Sequence, residues 1–105
     1  MPNYLLAYHG GKMPDSKEGI ARVMAAWEKW MKALGPALID GGNPVGKAST
    51  IDSKGKVTPG AGANPVSGYS VIKAGSLDAA VKLAQDCPVL QGGASIEVCE
   101  TFEAM

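Results

Sequence analysis

The chain has one histidine, two cysteines and one phenylalanine in 105 residues, and its ten Lys+Arg balance ten Asp+Glu. Each scarcity excludes something. One histidine without clustered carboxylates offers too few ligands for a metal site. Cys87 and Cys99 lack Cys-x-x-Cys spacing, so they make neither a zinc site nor a redox motif. Two free thiols fit a reducing, cytoplasmic setting. Zero net charge and the lack of a basic block argue against nucleic acid or an anionic membrane as partner. The apolar stretches span only a few residues, far short of a membrane span. Met1-Pro2-Asn3-Tyr4 lacks the basic and apolar regions of a secretory signal.

What remains is an ordinary globular composition, 46% hydrophobic and 19% charged. The length predicts one domain over residues 1–105, with one core and no repeat. Glycine and proline concentrate in the middle: Gly35 to Gly68 holds twelve of the twenty-one.

Tyr4-Leu5-Leu6-Ala7-Tyr8-His9, stopped by Gly10-Gly11, predicts a strand apolar on both faces. A helix is predicted over about residues 15–34. Asp15 and Glu18 are spaced as a capping pair, and Ile20, Val23, Met24, Trp27, Trp30, Met31 and Leu34 form its inner stripe. Gly35-Pro36 stops it. Short extended pieces follow at 37–40 and 47–51. Ser53 to Lys56 reads as a hairpin turn, and Val57 begins a return strand. Thr58 to Val66 reads as a loop because of Pro59, Gly60, Gly62 and Pro65. Tyr69 to Ala74 predicts a strand. Ser76 caps a helix running to about Cys87, with Leu77, Ala80, Val81 and Ala84 facing inward. Ser95 to Phe102 alternates as a last strand.

The order is α+β and matches the β-α-β-β-α-β ferredoxin-like fold, an antiparallel sheet with two helices on one face. The other face is then bare. A second copy packing sheet to sheet is the economical cover, which predicts a homodimer.

Tyr4-Leu5-Leu6-Ala7-Tyr8, Met31-Lys32-Ala33-Leu34-Gly35 and Gly68-Tyr69-Ser70-Val71-Ile72 resemble the YciI-like (YCII-related) family. Ser76-Leu77-Asp78-Ala79-Ala80, Cys87-Pro88 and Gly93 to Val98 extend the resemblance over nearly the whole chain. It implies the dimeric α/β-barrel version of the ferredoxin-like fold. It also implies a biochemical role that is largely unassigned, with an enzymatic role suggested by a His–Asp pair in some members. The first helix here has no histidine, and the loop from Thr58 to Pro65 lacks the Asp-Gly-Pro-Phe motif of another branch. Neither site carries over.

The residues themselves offer other candidates. His9 ends the first strand beside a Gly-Gly turn, where a base can border a cleft, and Asp40 is the carboxylate expected to approach it. This pair is the expected catalytic set. Lys47, Tyr69, Ser70 and Trp27 are the expected ligand-binding set. Gly41 to Ala48 nearly matches a phosphate-binding P-loop, but Ala48 stands where a hydroxyl must hold magnesium and no helix follows. Gly60-Ala61-Gly62 lacks the third glycine and the helix of a dinucleotide site. No cofactor is therefore expected. Cys99 lies among Glu97, Glu100 and Glu103, which leaves it unactivated. Two functions fit: a small cofactor-free enzyme acting on a small organic molecule in a dimer cleft, or a non-catalytic ligand-binding or accessory module.

Overall fold

The computed structural model describes residues 1–103. The strands are β1 (Asn3–His9), β2 (Leu38–Asp40), β3 (Ser49–Ile51), β4 (Val57–Pro59), β5 (Val66–Lys73) and β6 (Ser95–Glu100), and the helices are α1 (Lys17–Leu34) and α2 (Leu77–Ala84). Four strands form one antiparallel sheet in the order β2-β5-β1-β6, while among the described residues β3 and β4 pair only with each other. With the β3–β4 hairpin set aside as an insertion, this is the ferredoxin-like order.

The registers sort the side chains. Tyr4 lies opposite Ile72, Leu6 opposite Ser70 and Val98, and Tyr8 opposite Gly68 and Ile96. That face meets the helices, and Tyr4, Leu6, Tyr8, Ile72, Trp30, Leu34, Ala80, Ala84 and Cys87 form the core. Alanines at 80 and 84 let α2 sit close to the sheet, since Ala80 is fully buried. The other face carries Leu5 opposite Val71 and Cys99, and Ala7 opposite Tyr69 and Glu97. Among the described residues no helix covers it, yet its centre is apolar.

Local chemistry sets the helix ends. Ser16, not Asp15, caps α1: its hydroxyl accepts from the Gly19 amide at 3.0 Å. Gly19 is compact enough to tuck against Pro14 and Ser16, where a Cβ would meet Pro14 Cβ at 2.6 Å. Gly35, at φ 53, closes the helix with its amide on the Met31 carbonyl. Ser76 caps α2 through the Ala79 amide at 3.1 Å, as expected. That helix stops at Ala84, three residues early. The Asp86 and Cys87 amides take carbonyls three residues back, and Cys87 turns extended ahead of Pro88, which begins a 3-10 turn to Gly92.

Other expectations need correction. Thr58 and Pro59 belong to β4, because Pro59 sits at the end of an edge strand where its missing N–H is tolerated. β5 begins at Val66, ahead of Tyr69. Phe102 lies beyond β6 and is exposed, since only Thr101 continues the pairing, through Asn3. Ile20, Met24, Leu77 and Val81 are exposed, so the two inner stripes are wider than the sheet beneath them. Among the described residues, no helix is long and apolar enough to cross a membrane.

Candidate functional site

Two glycine pairs, Gly10-Gly11 after β1 and Gly41-Gly42 after β2, border one cleft of about 500 Å³ on the helix side of the sheet. Its walls are mostly apolar: Tyr8 from β1, Val23, Met24, Trp27 and Met31 from α1, and Val89 below. That size and character suit a small organic molecule. Lys12, Asn43, Ser67 and Tyr69 complete its border.

The aromatic wall is built in depth. Trp27 meets Tyr8 edge to face, with centroids 5.8 Å apart and planes at 65°. Trp30 meets Trp27 in turn at 5.6 Å and 81°. Trp30 is anchored by its indole N–H, which donates to the Leu83 carbonyl at 3.0 Å. One face of Trp27 is thus supported by the core while the residue itself borders the cleft.

Behind the wall runs a buried relay. The Tyr8 hydroxyl donates to Ser70 Oγ at 2.7 Å, and Ser70 Oγ donates to the Gly41 carbonyl at 2.8 Å. Cys87 Sγ donates to the Tyr8 hydroxyl at 3.8 Å. Ser70 is fully buried, so it positions Gly41 and does not meet a ligand. Beyond Gly41 the chain bulges, then returns to the sheet where Pro44 bridges Gly68. Gly42 has φ +73, and a Cβ there would lie 1.7 Å from the Tyr69 carbonyl oxygen. Only glycine permits that approach.

Burial pushes the Tyr8 phenol well above its ordinary value of 10.0, against a smaller opposing pull from the Ser70 hydrogen bond. Burial also raises the Cys87 thiol from 9.0, with the Val89 amide and Tyr8 pulling it back. Both groups therefore stay neutral in the fold and gain charge only at higher pH than in the unfolded chain. Their stabilisation is complete below about pH 9 and declines as pH rises past 9 and then past about 10. The urea midpoint is expected to fall between about pH 8 and pH 10.5, and to fall less in Tyr8→Phe and Cys87→Ala. A midpoint as flat in the parent as in these variants would contradict it.

The structure separates the residues singled out from sequence. Trp27 and Tyr69 border the cleft. By strand alternation the Tyr69 side chain lies on the sheet face opposite Tyr8, where Asn43 Nδ2 donates to its hydroxyl at 3.5 Å. Ser70 is in the relay. Lys47 is exposed outside the cleft. His9 and Asp40 are not brought together. His9 Nε2 meets Glu97 Oε1 at 3.1 Å and Nδ1 meets the Pro65 carbonyl at 3.2 Å. The Asp40 carboxylate accepts from the Gly42 amide at 2.8 Å and holds the bulge. β5 lies between their strands. Neither borders the cleft. Among the described residues, no group of three or more His, Cys, Asp or Glu is arranged to hold a metal ion.

Sequence reasoning missed Tyr8 as a cleft wall and Gly41 to Pro44 as its rim. The available signal was the pair of Gly-Gly steps, each ending a strand.

Neither a protein-family model nor a curated protein matches the sequence. A solved structure does: 5-chloro-2-hydroxyhydroquinone dehydrochlorinase from Burkholderia phenoliruptrix AC1100, in complex with 2,5-dihydroxybenzoquinone. It is 18% identical, with a TM-score of 0.56 over 96% of this chain and 93% of that one. The likeness is one of fold. It supports the ferredoxin-like α+β architecture.

Proposed function

We propose that this chain is a YciI-like homodimeric protein whose cleft binds a small, flat, largely apolar organic molecule. The observation that carries this reading is the cleft wall of Trp27 and Tyr8 faced with Met24 and Met31. Aromatic side chains offer flat faces, and methionines adapt to the outline of what they meet. The polar groups are few and lie along the border, as in a site that orients a ligand by one end. Binding is favoured over proton transfer because His9 and Asp40 lie outside the cleft and the Tyr8 hydroxyl is committed to Ser70.

A second reading, a cofactor-free enzyme acting on a hydroxylated ring, is favoured by the similar fold of a dehydrochlorinase bound to a dihydroxybenzoquinone. In that reading Lys12 is the polar side chain near the ring, since the Tyr69 hydroxyl and the Asn43 amide that meets it lie toward the other face of the sheet. The homodimer is supported by the uncovered sheet face, where Leu5, Val71 and Cys99 are half-buried and Ala7 is buried.

Trp27 reports on its own site. Titration with flat hydroxylated rings, 2,5-dihydroxybenzoquinone among the probes, is expected to quench tryptophan fluorescence to saturation. Trp27→Ala is expected to weaken binding about tenfold or more, read by calorimetry, because a stacked face is removed. His9→Ala is expected to bind as the parent does. Equal affinity in Trp27→Ala and the parent would sink the reading. Turnover of the probe, followed by its absorbance, would select the enzymatic alternative.

A further inference from the structure

The β3–β4 arm has little in its own protomer to hold it. Among the described residues its two strands pair only with each other, and all their residues are exposed. An isolated two-stranded hairpin is marginal in water. Yet the arm is well made. The Asp52 carboxylate accepts from the Lys54 and Lys56 amides at 2.9 Å each, and Thr50 Oγ1 donates to the Gly60 carbonyl at 2.7 Å.

The arm is also amphipathic. Ile51 lies directly opposite Val57, and Ser49 opposite Pro59, while Thr50 and Thr58 share the other face. Ile51 is 67% and Val57 59% exposed, so the apolar face stands in water. The Asp52 amide bonds the Lys56 carbonyl and the Gly60 amide bonds the Ala48 carbonyl. By alternation, Thr50 and Thr58 point their backbone groups inward, and Ser49 and Ile51 point theirs outward. The outer edge of β4 includes Pro59, which has no N–H to offer. The edge of β3 is therefore the one equipped for pairing.

A complementary edge exists on the main sheet. β6 is its last strand, with one side unpaired among the described residues. From Ser95 to Glu103 the chain carries Glu97, Glu100 and Glu103 and no basic residue. The arm, from Lys47 to Gly60, carries Lys47, Lys54 and Lys56 against Asp52. The Glu97 carboxyl side chain is 65% exposed despite its contact with His9, which leaves room for a second cation.

We propose that the arm of one copy of this chain lies along β6 of a second copy. β3 pairs with the free edge of β6, Ile51 and Val57 prolong the apolar face around Leu5 and Cys99, and the arm lysines meet Glu97 and Glu100. A two-fold axis makes the exchange mutual, so each copy gives one arm and receives one. This rests on the homodimer reading and adds to it the surface that closes the dimer.

Sedimentation equilibrium tests it on the full chain. Ile51→Ser with Val57→Ser is expected to raise the dimer dissociation constant about tenfold or more. Lys54→Glu with Lys56→Glu is expected to weaken the dimer, and Glu100→Lys added to it is expected to restore part of the loss. Glu100→Lys leaves the His9–Glu97 pair intact, and circular dichroism confirms that each variant is folded. If the parent is a dimer and every arm variant dimerises as tightly, the arm proposal falls and the homodimer reading stands. If the parent is a monomer at micromolar concentration, both fall.

Discussion

Gly42→Ala is expected to lower stability by roughly 3 kcal/mol or more, and the thermal midpoint by roughly 10–20 °C. Two penalties combine. A φ of +73 is costly for any residue with a Cβ, and here that Cβ would sit 1.7 Å from the Tyr69 carbonyl oxygen. The atom in the way is backbone, in a strand whose position is set by its neighbours, so it cannot swing aside. The bulge must move instead, which breaks the bond from the Gly42 amide to Asp40 and the bond from Ser70 to Gly41. Both bonds shape the rim of the cleft, so ligand affinity is expected to fall with stability. Gly46→Ala is the control, because nothing lies within 4 Å of its added Cβ. It is expected to change stability by less than about 0.5 kcal/mol. Calorimetric scans of the two variants check this, and equal midpoints would refute the argument.

Trp30→Ala is expected to cost about 3–5 kcal/mol. Trp30 is 5% exposed, so its removal leaves a cavity that α1 and α2 cannot fill without moving. The Leu83 carbonyl also loses its indole donor. Domains of this size are stable by only about 5–15 kcal/mol, so the variant sits near the edge of folding. Trp30→Phe separates the contributions. It keeps most of the packing against Trp27, loses the hydrogen bond, and is expected to cost about 1–2 kcal/mol. Urea denaturation measures both. A loss below about 1 kcal/mol for Trp30→Ala would show that the residue is not a core anchor.

The elements were legible where one signal dominated. β1 stops at a Gly-Gly step, α1 stops at Gly35, and Ser76 caps α2, because each of these residues acts on its own few neighbours. Asp15 and Ser16 are both good caps by type, so the sequence points one residue early; the Ser16 hydroxyl is the one that accepts from the Gly19 amide. Exposure of Ile20 and Met24 was not legible. A periodic stripe marks which side of a helix is apolar, but not how much sheet lies under it. Met24 meets the cleft and not the core. The sequence puts His9 at the end of a strand bordering a cleft; it ends β1 but does not border the cleft. Its partner is Glu97, 88 positions away, because β6 and not β2 lies beside β1.

By itself the sequence determined the list of elements, their order and the kind of sheet they must build, since periodicity and caps are local properties. It also determined that such a sheet has a second apolar face. The tertiary structure alone decided the register. One residue of slip exchanges the two faces of a strand, so the meeting of Tyr8 with Ser70, and of His9 with Glu97, exists only once distant strands have paired. The cleft follows from that pairing, because its walls come from five separate segments that no local signal brings together.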